Sequence, residues 1–147
     1  MLFAGSRQES RQIFFSAWRK YLDKKQLEGV EGVIVQVALQ HPEYHNLLEQ
    51  PDQFADKDYL PEHGATNPFL HMGMHVTIEE QLGMDRPLGI KSRFEALAKK
   101  RGDAHEAQHI IMECLAEMLW QAQRQGSAPD EDSYLSCIDI NPGTSAR

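Results

Sequence analysis

Long apolar runs are missing from this 147-residue chain, and no stretch approaches the roughly 20 residues that a helix needs to cross a bilayer. Cysteine is scarce, with Cys114 and Cys137 the only two. Such a pair is neither a disulfide framework nor the CxxC spacing of a thiolate metal site. Cys114, inside a strongly helical stretch, reads as a buried small hydrophobe. Positive charge is also in deficit, with 15 Lys and Arg against 22 Asp and Glu and a net charge of −7. That balance argues against a nucleic-acid partner, because neutralising phosphates needs a basic surface. Seven prolines and ten glycines are too few for a fibrous or low-complexity chain. The opening MLFAGSRQESRQ turns polar after four residues, unlike a secretory leader. The expected setting is a reducing cytoplasm, with no membrane contact.

What is present is ordinary globular composition, 41% hydrophobic and 25% charged, which suits one domain over 1–147 with a frayed tail from 139. The spacing predicts an all-α fold, a compact bundle of about five to six helices. Ile13, Phe14, Trp18, Tyr21 and Leu22 recur at helical intervals within 8–27, and Val30, Val33, Ile34 and Val37 repeat the pattern. The β-branched run VEGVIVQV leaves a strand open as the alternative there, although no partner strand is evident. Pro42 either kinks that helix or starts a short new one with His41 as its cap. Residues 50–66 read as a long loop. Asn67-Pro68 marks a helix start, and that helix runs to about Leu82. A helix opened by Asp85 and Pro87 closes with Lys99, Lys100 and Arg101 before Gly102. Asp103, with Glu106 three residues on, has the pattern of a capping box for a long helix to Gly126. A short helix over 129–138 follows.

The chain has seven histidines, and six form three pairs four residues apart: His41 and His45, His71 and His75, His105 and His109. Chance would give roughly a third of one such pair for this composition. Residues four apart stand on the same helix face, so each pair can chelate one ion or serve adjacent ions. His71 and His75 share a stripe with Met74, Ile78 and Leu82. His105 and His109 share one with Met112, Ala116, Leu119 and Trp120, and His41 continues that of Val33, Ile34 and Val37. The expectation is an interior metal site. Glu79 and Glu113, each four residues after a histidine, are the carboxylates placed to bridge or terminate it. Six inward imidazoles without metal would each need a hydrogen-bond partner, and any two protonated together would repel. Iron, zinc and manganese all suit imidazole with carboxylate.

Other signals are weaker. HEAQH at 105–109 matches the HExxH pattern of zinc metalloproteases, but the place of Glu106 in the capping pattern already accounts for it, and no third-ligand motif follows. The methionines, Trp18 and Trp120 read as core. His63 reads as a surface residue of the 50–66 loop, which would join the site only if that loop folded over it.

The stretches HPEYHNLLEQ (41–50), NPFLHMGMHVTIEEQ (67–81), DRP (85–87) and HEAQHIIMECLAEMLWQAQR (105–124) together resemble a family of small proteobacterial proteins known only as a domain of unknown function. The resemblance supplies no activity. More loosely, HxxxE at 75–79 and HxxxH at 105–109 look like ligand pairs of hemerythrin-like and DinB-like bundles, although the last-helix HxxxxD ligand is missing. The leading expectation is a dinuclear non-haem iron centre held by the six paired histidines with Glu79 and Glu113, whose open positions would take dioxygen or a peroxide. The alternatives are a zinc-dependent hydrolase with Glu106 or Glu113 as base, and a non-catalytic metal store, sensor or partner-binding protein.

Overall fold

The computed structural model describes residues 7–59 and 67–140. Among these the chain is helical throughout, without strands: α1 (Arg7–Leu22), α2 (Val30–Leu39), a 3-10 turn (Pro42–Tyr44), α3 (His45–Leu48), α4 (Pro51–Phe54), α5 (Pro68–Met84), α6 (Ile90–Arg101), α7 (Ala104–Gln125) and α8 (Glu131–Ile140). None of these helices is long and apolar enough to cross a membrane. His63 and the tail from residue 141 fall outside the described residues. Contacts group the chain into two units, residues 1–77 and 78–147, with the boundary falling inside α5.

In the first unit α1 and α2 supply most of the core, where Phe14, Phe15, Ala17 and Trp18 meet Ile34, Val35, Val37 and Ala38. Burial at intervals of one, three and four is the helical signature, and it explains why the β-branched α2 is no strand. Phe69, in the first turn of α5, sets its ring edge-on to Phe14 and Phe15 at 6.2 and 5.5 Å, an arrangement the ring quadrupoles favour. Arg11 is buried among them. Its Nη1 donates to the carbonyls of Phe54, Ala55 and Lys57 at 3.1, 3.1 and 2.7 Å, and its guanidinium lies 4.7 Å from the Phe69 ring centre. The end of α4 leaves carbonyls that the helix itself cannot satisfy, and Arg11 collects them. Pro42 sits in the first turn of a new 3-10 segment with His41 at the N-cap position, so of the two sequence readings it starts an element rather than kinking one.

In the second unit the end of α6 and the start of α7 fall where the sequence put them, whereas α6 begins at Ile90 with Gly89 as its N-cap, later than the expected opening at Asp85 and Pro87. Gly102 ends α6 in the left-handed region at φ 73°, where a side chain is strained. Asp103 accepts from the amides of His105 and Glu106 at 2.9 and 3.3 Å. The Glu106 carboxylate is engaged by Arg101. The buried stripe of α7 is Ala107, Ile110, Ile111, Cys114, Leu115, Met118 and Ala122. It lies one side over from the expected stripe: Ala116 is exposed, Met112 and Leu119 are half-buried, and Trp120 is half exposed with Arg124 over its ring. Trp120 is therefore not a core residue, since residue 120 follows 118 by two positions and so points away from the buried side.

Cysteine brings a second correction. Cys114 and Cys137 form a disulfide joining α7 to α8, so Cys114 is a cross-link rather than a plain apolar filler. Spacing along the chain could not reveal this, because the two residues meet only once α8 folds back along α7. The same docking buries Tyr134, whose hydroxyl donates to Gln81 at 2.7 Å. Arg93 adds a two-pronged ion pair to Asp139 at 2.9 and 3.1 Å.

Candidate metal site

His41 follows the end of α2, and its position is fixed by backbone chemistry. Its ring is buried, and Nδ1 lies 2.8 Å from the carbonyl of Val37. A carbonyl can only accept, so Nδ1 carries the proton and the lone pair of the neutral ring resides on Nε2. A backbone carbonyl on one ring nitrogen is the usual way a protein aims the other at a metal.

His75, fully buried on α5, sets its ring 4.8 Å from that of His41. His71, one turn earlier and half-buried, lies 5.3 Å from His41 and 4.8 Å from His75. Tyr44 stacks on His41 with ring centres 5.5 Å apart and planes 12° from parallel. Burial, and then the neighbouring Glu43, pushes the Tyr44 phenol above its ordinary pKa, so the ring beside the histidines stays neutral. Sequence reasoning passed over Tyr44. The signal was its place three residues after His41, inside HPEYH.

His45 is held differently. Its Nε2 donates to the Ala38 carbonyl at 2.7 Å and its ring lies 4.5 Å from Trp18. On α7, His105 and His109 are half-buried, flank the apolar stripe, and set their rings edge to face at 4.4 Å. The capping bond from Asp103 fixes the first turn that carries His105.

Each unit carries its own close set of imidazoles: His41, His71 and His75 in the first, and His105 with His109 in the second. His41 and His75 are buried and His105 and His109 half-buried, and imidazoles so placed can hold a metal ion. His45 is committed instead to the Ala38 carbonyl. Of the two candidate carboxylates, Glu79 accepts from the carboxamide of the buried Gln108, and Glu113 is exposed. Gln108 was missed in the sequence because an amide among apolar neighbours carries no metal-ligand signal of its own.

None of the curated proteins or solved structures compared with this chain matches it. The likeness to hemerythrin-like and DinB-like bundles thus rests on ligand spacing alone. One family does match, over residues 6–140, a span that contains all six paired histidines and both cysteines. The chain belongs to the family described as "Domain of unknown function (DUF1841)".

Proposed function

We propose that this protein binds transition-metal ions through imidazole nitrogens of its paired histidines, His41 with His71 and His75 in the first unit and His105 with His109 in the second. The observation that carries the reading is the close approach of the rings within each set, 4.8 Å between the centres of His41 and His75 and 4.4 Å between those of His105 and His109. Buried imidazoles brought so near each other repel when protonated and lose hydration when neutral, and a cation offsets both costs.

An all-imidazole set suits zinc, iron, copper or nickel, and it disfavours magnesium, calcium and manganese, which prefer oxygen. The sequence pointed to two bridged irons. With Glu79 held by Gln108 and Glu113 exposed, imidazole without a bridging carboxylate is the better-supported ligand set, and zinc(II) or iron(II) is the class. A hydrolase using Glu106 draws less support, because Arg101 already engages that carboxylate.

Metal analysis of the protein purified without added metal tests the reading. The expected result is at least one zinc or iron per chain, retained on gel filtration and reduced in His41→Ala and His75→Ala. Near-zero metal, together with a melting temperature that zinc and iron(II) leave unchanged, would overturn it.

A further inference from the structure

A second chemical group lies on the other part of α7. The Cys114–Cys137 disulfide lines a cleft of about 280 Å³, whose walls include Gln121, Gln125, Ser127 and Ser133. The two sulfur-bearing residues are unequal. Cys114 is 1% exposed, whereas Cys137, on α8, is partly exposed. The charged residues lining the cleft are Glu117 and Asp130, both acidic. We propose that this cleft is a thiol–disulfide exchange site that admits a small cationic or neutral thiol and takes its attack at Cys137.

The chemistry balances with the thiol as reductant. An incoming thiolate attacks the Cys137 sulfur in line with the disulfide. A new sulfur–sulfur bond forms as the old one breaks, and the electron pair leaves on Cys114, which takes a proton from water. A second thiol attacks the external sulfur of this mixed disulfide and releases the Cys137 thiol. Two thiols lose two electrons and become a disulfide, while the protein gains two electrons and two protons. Direction of attack follows access: the sulfur of the partly exposed Cys137 receives the nucleophile and that of the buried Cys114 leaves. Two carboxylates at the cleft favour an aminothiol over an anionic thiol such as glutathione. Disulfides that persist belong to oxidising surroundings, and those in reducing ones are opened and re-formed. An accessible cross-link of this kind is suited to the second behaviour.

Opening the bond does not cast α8 loose. Tyr134 still donates to Gln81, Arg93 still pairs with Asp139, and Ile138 stays buried. The reaction is therefore expected of the folded protein.

The test treats the oxidised native protein with cysteamine or glutathione, quenches with acid and maps the adducts by peptide mass spectrometry. The expected results are two titratable thiols per chain at completion, and an intermediate carrying cysteamine on Cys137. Cysteamine should react about tenfold faster than glutathione at low ionic strength, with the gap narrowing in salt. Cys114→Ser, which frees Cys137, should take up cystamine readily, and Cys137→Ser should leave Cys114 unreactive. An adduct on Cys114 would overturn the proposal. So would reduction only at denaturant concentrations that unfold the chain. Trapping in the wild-type protein keeps the test decisive should either serine variant fail to fold.

Discussion

The ring of His41 donates its Nδ1 proton to the carbonyl of Val37, one helical turn earlier, at 2.8 Å. That bond holds the imidazole at the end of α2 and leaves Nε2 as the nitrogen able to bind a cation. His45, four residues later, is oriented the other way round, with Nε2 committed to the carbonyl of Ala38. Two histidines of one sequence motif are thus given different tasks by backbone groups of one helix.

A pair of substitutions separates those tasks. His41→Gln keeps a hydrogen-bonding side chain but removes the imidazole, and it should abolish the rise in melting temperature on adding zinc or iron(II). A wild-type protein held at one hundred times its Kd gains about 2.7 kcal/mol from the ion. His45→Phe keeps an aromatic ring beside Trp18 and loses the bond to Ala38. It should lower stability by about 1 kcal/mol and leave metal stoichiometry unchanged. Thermal melts with and without metal read both effects.

Arg11 should be among the most sensitive positions of the first unit. Replacing it with Met keeps much of the aliphatic packing but strands the carbonyls of Phe54, Ala55 and Lys57 and removes the cation from the face of Phe69. Losses of about 2–4 kcal/mol are expected in urea unfolding. Arg11→Lys should recover only part, because an ammonium on a flexible stem does not reproduce the planar fork.

The cap of α7 gives a smaller, cleaner effect. Asp103→Ala removes the acceptor for the amides of His105 and Glu106 and should cost about 1 kcal/mol. Asp103→Asn should restore most of it. Because His105 sits in that first turn, Asp103→Ala should also weaken metal binding more than Asp103→Asn does, measured by competition with a chromophoric chelator.

Tyr134 sets an alkaline limit. Burial raises its phenol pKa far above the ordinary value near 10, so the folded protein keeps the proton after the unfolded chain has released it. Stability from this group is fully present below about pH 10 and falls above it, by up to about 1.4 kcal/mol per pH unit for one proton. Urea unfolding of the wild type between pH 8 and about 11 should show that decline. Tyr134→Phe should be about 1 kcal/mol weaker at neutral pH, from loss of the Gln81 bond, and should decline less steeply with alkali.

The helices were legible wherever local chemistry decides them. Asn67 accepts from the amides of Phe69 and Leu70, Gly102 takes the left-handed cap, and Asp103 caps α7, all as their residue types and positions imply. The face of α7 was harder to read. Its hydrophobic residues form a broad band, and a stripe through Ala116 and Trp120 fits the pattern nearly as well as the one through Ile111, Cys114, Leu115 and Met118 that is buried. Only packing against other elements chooses between two such stripes. Arg11 lay on the buried side with Phe14, Phe15 and Trp18, at helical spacing, but an arginine there makes sense only when the carbonyls it serves are known. They belong to residues more than forty positions away.

By itself the sequence determined the helical class, the positions of the principal caps and the pairing of six histidines at one-turn intervals, because each depends on residues within a few positions of one another. The tertiary structure decided which imidazoles meet within the first unit, since that depends on where α5 and the end of α2 bring their rings and on which rings the backbone has already engaged. It likewise joined Cys114 to Cys137 across 23 residues of sequence. Spacing could not reveal such a meeting, because only the folding of one helix against another brings the two sulfurs together.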